Sequence, residues 1–363
     1  MLDILFGSTL MNILITKFKS LGDVILLTPL ISNLKNLYPN SKIDLLLQHD
    51  TQIILKNNPH ISKIYLIKRS KKSKIKNFLF DLPVYLKIRK KKYDILISSD
   101  RGQRGSIIAK IINAKKRIGR KNIEDIDMNK NFNYFFSFHG DRHVIDLNLD
   151  PILILGKKIK SKALEIYPAK KDFDYVKKII RDKEFIQIHP VSQCGYKSIN
   201  NNLMAKIIDY CEIDLGIKTI ITGSGEKDER KINEIISLTK SKPLNLCSKL
   251  SLMETSALNK LAKLLVVVDT AVMHISTANL TPVIAFFGPT AVNNWGPWDS
   301  RLFSNNYLRK GGIQKHGIHT VLSKNYACVP CSQSGCKNSG VSNCLQDIEF
   351  SEVRPIIDSY IYG

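Results

Sequence analysis

Short apolar runs alternate with amphipathic stretches from Met11 to the C-terminus. Ile13-Leu14-Ile15 centre a buried strand over 12–15, and the polar turn Lys19-Ser20-Leu21-Gly22-Asp23 follows it. Apolar residues at helical spacing predict a helix over 24–38, stopped by Pro39-Asn40. A second strand over 42–47 completes a strand–helix–strand unit, which implies a parallel pair with a right-handed crossover. Further strands are expected at 63–67 and 93–98, and 115–119 read as the exit from a helix into a short strand. Residues 122–142 are polar, aromatic and poorly periodic, and read as a long loop. Helices are expected over 146–155 and 172–181. A second alternating half has strands at 185–189, 218–222 and 264–268, helices over 202–215, 229–238 and 251–263, and a final helix after 351. Within it, Val266 to Thr290 read as an apolar strand, a polar turn, a short helix and a second apolar strand ending in Gly288-Pro289-Thr290.

The pattern is α/β throughout. Two Rossmann-like domains with parallel sheets facing across a cleft are the natural assembly. We expect them over 11–170 and 171–345, with a C-terminal helix over 346–363. A chain of 363 residues can bury two such cores.

Hydrophobic residues at 44% and charged residues at 24% are ordinary for a globular protein, but 55 Lys+Arg against 32 Asp+Glu give a net charge of +23. Such a field draws anionic partners without choosing among phosphorylated substrates, membranes and nucleic acid. A genome-wide bias toward Lys, Ile and Asn accounts for it equally well. Residues 68–92 are densest in Lys and Arg. They read first as a solvated face, and alternatively as a surface for an anionic acceptor or membrane. No apolar run approaches the roughly 18 residues of a membrane span. The N-terminus has no basic residue before Lys17, so a signal peptide is not expected, and Met11 competes with Met1 as the start. Seven cysteines, an odd number, argue against a secreted disulfide framework. A cytoplasmic protein is expected, held at the inner membrane face by charge.

Three features carry chemistry. Asp23 sits in the first turn of a helix, where it either complements the helix dipole or serves as a general base. His189-Pro190-Val191-Ser192 through Lys197 is a strand running into a polar loop, able to offer N–H groups, a hydroxyl and a point charge to phosphate. It lacks the spacing of a Walker loop. Gly223-Ser224-Gly225-Glu226 lacks the third glycine of a dinucleotide fingerprint, although Glu226 could bind ribose hydroxyls. In Asp269-Thr270-Ala271-Val272-Met273-His274, the turn opens a helix whose free N–H groups suit a diphosphate, and His274 falls one turn beyond Thr270.

Together and in this order, these features resemble the ADP-heptose:lipopolysaccharide heptosyltransferases, glycosyltransferase family nine. The resemblance spans nearly the whole chain from Met11. It rests on Ile13-Leu14-Ile15, Ser20 to Val24 with Thr28-Pro29, Lys116 to Gly119, His189-Pro190 with Lys197, Thr222-Gly223, Asp269-Thr270 with Met273-His274, Thr281-Pro282-Val283 and Phe287 to Thr290. It implies a GT-B architecture with the donor held mainly by the second domain. It also implies inverting, metal-independent transfer of heptose from ADP-L-glycero-β-D-manno-heptose to the lipopolysaccharide inner core. By the match, Asp23 is the base. Lys197, Thr270 and His274 fall where the family holds the donor phosphates and sugar, and Glu226 near its ribose-binding position; Ser192, Asp269 and Ala271 are expected to hold the donor with them, and Lys17, Arg101 and Arg104 to meet the acceptor. The chain departs from the family in having Ala271 where Gly is usual, Val191 in place of a Gly and Ile199 in place of a Trp.

Cys328, Cys331, Cys336 and Cys344 form a compact set without the spacing of a paired CxxC ribbon. A similar stretch occurs in family members resembling heptosyltransferase III. The set could hold a structural zinc, with free or partly paired thiols as the alternative; no other cofactor is expected. Three competing readings remain at this level: transfer from another nucleotide sugar to a surface polysaccharide, a degenerate transferase that has lost activity, and a basic nucleic-acid-binding protein with a zinc knob. The last is disfavoured, because the basic residues are dispersed and no stacking motif is visible.

Overall fold

A computed structural model of the chain describes residues 10–68, 74–100, 103–112, 114–121, 126–136, 140–181 and 184–363. The chain divides into two compact units, Met1–Glu165 and Ile166–Gly363. Among the described residues, no helix is long and apolar enough to cross a membrane.

The first unit holds strands β1 (Asn12–Lys17), β2 (Lys42–Gln48), β3 (Lys63–Ile67), β4 (Ile95–Ser98), β5 (Lys116–Arg120) and β6 (Tyr134–Phe136). They form one parallel sheet in the order β3-β2-β1-β4-β5-β6. The chain builds outward from β1 in one direction, then returns to its other side with β4. The switch point between β1 and β4 is where ligands bind in open sheets of this kind.

The second unit repeats the plan with β7 (Phe185–His189), β8 (Lys218–Ile221), β9 (Leu244–Asn245), β10 (Leu264–Val268), β11 (Val283–Phe286), β12 (Gln314–His316) and β13 (His319–Leu322). Its order is β12-β13-β11-β10-β7-β8-β9, parallel except for β12, so its switch point lies between β7 and β10. Alternation along β10 sends Val266 and Val268 into one core and Leu265 and Val267 into another. Helices covering both faces explain the unbroken apolar run. Val191 and Ile199, the two departures in the first loop, lie in the same core as Val266. The C-terminal helix Phe350–Ile361 packs there through Val353, Ile356 and Ile357.

Several elements differ from expectation. The helix expected over 24–38 is two, Leu21–Ile25 and Thr28–Leu37. Pro29 has no N–H for the carbonyl of Ile25, and the Thr28 hydroxyl donates to that carbonyl instead at 2.8 Å. The helix expected over 202–215 ends at Asp209 and widens into π winding over Tyr210–Asp214. The loop expected over 122–142 contains β6, which hydrogen-bonds to β5 as an edge strand of only three residues. The β12–β13 hairpin and β9 were also not anticipated.

Burial in the second unit lowers the pKa of His316 and, furthest, of His189 and His319. His189 has its pKa lowered to about 4 by burial and accepts or donates one bond to the Thr222 hydroxyl at 3.0 Å. His319 is lowered to about 3, also by burial, against the opposing pull of Asp299. Both bind a proton more readily unfolded than folded. Their contribution is fully present above the unfolded value of about 6.5 and is lost as pH falls toward the folded values, by up to about 1.4 kcal/mol per pH unit for each histidine. Urea titrations at pH 7, 6, 5 and 4.5 should therefore give falling midpoints, and His319→Asn should flatten the slope.

Candidate active site

At the first switch point, β1 ends in Lys17 and the chain turns through Phe18, Lys19 and Ser20 into helix Leu21–Ile25. Ser20 stands at the N-cap in extended geometry, but its hydroxyl donates to the Asp23 carboxylate at 2.8 Å instead of capping the backbone. The Asp23 side chain is 15% exposed and lies 3.8 Å from the Lys17 ammonium. Lys17 is only 3% exposed, lies 4.0 Å from Asp100 and donates to the Ser99 carbonyl at 3.3 Å.

Asp100 follows β4, is buried, and accepts the Phe18 N–H. Burial raises its pKa, Lys17 and the Phe18 N–H pull it back down, and Asp23 raises it further. The arrangement is carboxylate, ammonium, carboxylate, with only Asp23 at the open end. Lys17, expected to meet an acceptor, is turned inward as the counter-ion of Asp23 and Asp100. It sits on the last residue of a buried strand, where a charge needs partners. Asp100 was missed. Its signal was Lys17 itself, since a cation closing an apolar strand demands an anion from the neighbouring strand end. Lys17→Met would leave Asp100 buried without its cation, and should cost about 3–5 kcal/mol of stability at neutral pH. The cost should shrink in acid as Asp100 protonates, which chemical denaturation at pH 7 and pH 5 would resolve.

Arg104 lies on helix Gln103–Ile111, half-buried, with its guanidinium 5.9 Å from the Phe18 ring centroid. Arg101, the remaining expected acceptor contact, falls outside the described residues.

At the second switch point, the loop after β7 meets the turn after β10. Lys197 and Asp269 pair at 2.6 Å. Burial opposes the charge on Lys197, but Asp269, with smaller help from Tyr196 and Cys194, more than offsets it and the pKa is raised. The Ser192 hydroxyl donates to the Asp269 carbonyl at 3.4 Å, tying the two loops together. Thr270 is the N-cap of helix Ala271–Ala278 in extended geometry, and its side chain makes no cap hydrogen bond. The first-turn N–H groups thus lie beside Lys197 without a side-chain acceptor, the arrangement that suits an anion. His274 is buried on this helix, 4% exposed.

Glu226 stands apart as the first residue of helix Glu226–Ile236, its side chain 89% exposed and 3.4 Å from Arg230. Glu226, Asp228 and Glu229 all occupy that helix's first turn. This end therefore repels phosphate and suits hydroxyl groups. A cavity of ≈ 500 Å³ opens between the loop and this helix, lined by Ser192, Gly195, Lys227, Asp228 and Arg230 among others.

The cysteine segment gives no support to a structural zinc. Among the described residues no group of three or more His, Cys, Asp or Glu is placed to hold a metal ion. Cys328 is exposed while Cys344 is buried, with its pKa pushed up to about 11 by burial first and by the other three cysteines second. The Cys336 sulfur accepts the Asn343 N–H at 3.3 Å. The segment braces the site. The Ser342 hydroxyl donates to the Tyr196 carbonyl at 2.6 Å, and the Gln346 amide to the Ser198 carbonyl at 2.8 Å, on either side of Lys197. A Cβ on Gly288 would meet Leu345 at 2.7 Å, so the turn after β11 is pressed against the same segment.

Comparison with known proteins gives concordant matches. The family model described as glycosyltransferase family 9 (heptosyltransferase) matches residues 84–311. Lipopolysaccharide heptosyltransferase 3 of Escherichia coli is 30% identical over 295 residues, covering 77% of this chain and 84% of that protein. Among solved structures, ADP-heptose lps heptosyltransferase II of E. coli superposes with a TM-score of 0.73 at 16% identity, over 97% of this chain and 98% of that one. The E. coli heptosyltransferase WaaC with ADP gives 0.70 at 14% identity, over 96% and 100%. These structures share the fold, two parallel α/β units of the GT-B class.

Proposed function

Since the chain belongs to glycosyltransferase family 9, the heptosyltransferase family, we propose that it moves heptose from ADP-L-glycero-β-D-manno-heptose to the inner core of lipopolysaccharide, with inversion and without a required metal. The division of chemistry between the two switch points supports this most directly. The first offers one mostly shielded carboxylate, Asp23, held by Ser20 and Lys17. The second offers an oriented cation and a helix N-terminus, Lys197 and Thr270.

Inversion needs a single base on the face opposite the leaving group. The acceptor hydroxyl attacks the anomeric carbon, and its proton passes to Asp23. The bond from that carbon to the β-phosphate oxygen breaks, and the electron pair leaves with ADP. The charge that develops on the diphosphate is met by Lys197 and by the N–H groups that follow Thr270. Asp269 and Ser192 fix that arrangement, His274 and Ala271 line the same helix, and Glu226 takes the ribose hydroxyls. Lys17 and Asp100 position Asp23. Arg104 and Arg101 meet acidic groups of the acceptor. The excess of basic residues suits a phosphorylated core and a peripheral position on the cytoplasmic face of the inner membrane. Nucleic acid is not a partner.

The test is transfer by the purified protein from ADP-heptose to truncated inner-core acceptors, read by mass spectrometry. A gain of one heptose on one acceptor is expected. Binding of ADP without transfer to any core acceptor would overturn the heptose assignment and leave the family intact.

A further inference from the structure

The helix Lys74–Lys90 has a buried face and an exposed apolar face, and the reaction uses neither. Asp81, Tyr85 and Ile88 recur at helical spacing and are buried, which fixes the inward face. On the opposite side Leu79, Leu82 and Leu86 are 60%, 37% and 51% exposed, and Phe80 beside them is 66% exposed. An outward helix face in water is ordinarily polar, so a run of large apolar side chains there needs a partner.

Charge identifies the partner. Residues 68–92 contain eleven Lys or Arg and one acidic residue, Asp81. That acid is turned inward, where it accepts the Lys68 N–H at 2.9 Å and burial raises its pKa. Lys91 is drawn onto buried Asp44 at 2.7 Å. Lys87, Arg89, Lys90 and Lys92 stay exposed at the C-terminal end of the apolar stripe. The Lys68 ammonium lies over the exposed Phe80 ring at 4.6 Å. The described side chains of this face are thus apolar or cationic, with no exposed acid among them.

We propose that this face docks on an anionic lipid bilayer. Leu79, Phe80, Leu82 and Leu86 enter the headgroup–acyl boundary, while Lys68, Lys87, Arg89, Lys90 and Lys92 meet lipid phosphates. Apolar entry and cation–phosphate contact act together, as in interfacial helices that lie on a membrane without spanning it. A protein surface complementary to this face would need an apolar groove ringed by carboxylates, whereas an anionic leaflet supplies both parts everywhere. The proposal rests on the peripheral position suggested above and names the surface responsible.

The experiment is sedimentation of the full chain with vesicles of phosphatidylcholine alone or with about 30% phosphatidylglycerol, without donor or acceptor. Binding is expected only to the anionic vesicles, falling with added salt. Leu79→Ser combined with Phe80→Ser and Leu86→Ser should weaken it about tenfold or more. Neutralising Lys87, Arg89 and Lys90 together should weaken it similarly and remove most of the salt dependence. All these side chains are exposed, so ADP binding and transfer to a detergent-free, water-soluble acceptor should persist in both variants. Equal vesicle binding by the variants and the parent, or none by the parent, would overturn the docking face. So would loss of a self-association by the serine variant with vesicle binding unchanged. Because vesicle binding is read without donor, each of these results is separate from failure of the heptosyl assignment.

Discussion

Asp23→Ala should lower heptosyl transfer by about 10²–10⁴-fold, the usual contribution of a positioned general base. The effect should fall on turnover. Ser192, Lys197, Asp269 and Thr270 belong to the other unit, so ADP affinity should stay within about twofold of the parent, well below one tenfold step of 1.4 kcal/mol. Folding should survive as well, because Lys17 keeps Asp100 as a partner. Asp23→Asn sharpens the test. The amide preserves the shape and can still meet the Ser20 hydroxyl, yet it cannot take a proton. If Asp23 is the base, Asn and Ala are equally poor. If Asp23 merely organises the helix turn, Asn recovers most of the activity. Single-turnover rates with ADP-heptose and a truncated core acceptor, beside calorimetric ADP binding, distinguish the two outcomes.

Lys197→Ala should lower transfer by about 10²–10³-fold, the range for removing one preorganised group that stabilises leaving charge. Here the loss has two parts. The cation facing the diphosphate disappears, and Asp269, paired with it at 2.6 Å, is left as an uncompensated anion beside the same helix terminus. A ligand carrying negative charge must then approach a negative site. Lys197→Ala combined with Asp269→Asn removes the second part, so the double variant should be more active than Lys197→Ala alone. Equal or lower activity in the double variant would mean that Asp269 contributes something beyond holding the ammonium. Lys197→Arg should restore little, because a planar fork cannot occupy the place of a point charge packed between Asp269 and the Ser342-braced loop.

The α/β alternation, the parallel strands and the strands' approximate places were legible because each buried strand is a short, nearly unbroken apolar run. The resemblance to family nine likewise rested on local motifs, each lying where a strand gives way to a helix. What escaped was structure held by distant partners. β6 has three residues and no pattern of its own, and exists because β5 offers an edge to pair with. The hairpin of β12 and β13 closes over the buried Asp299, which accepts the Ile318 N–H at 3.0 Å.

The residues themselves divide in the same way. Asp23 and Lys197 could be singled out from their places after β1 and β7, since position along the chain puts them at the ligand edge of a sheet. Lys17 was expected at the acceptor. Its sequence position shows a cation at a strand end, but only the pairing of β1 with β4 places Ser99 and Asp100 around it. The four cysteines, from their spacing, left a structural metal and free or partly paired thiols both open. In space they differ in burial, and their segment serves to brace the loop carrying Lys197.

By itself the sequence determined the alternation of strands and helices, the two switch-point turns and the types of group they carry, because those follow from periodicity and from residues a few places apart. The tertiary structure decided which charges pair, which are turned inward and which apolar side chains stay in water. Those outcomes depend on desolvation and on contacts between segments far apart in the chain, and no local pattern encodes either.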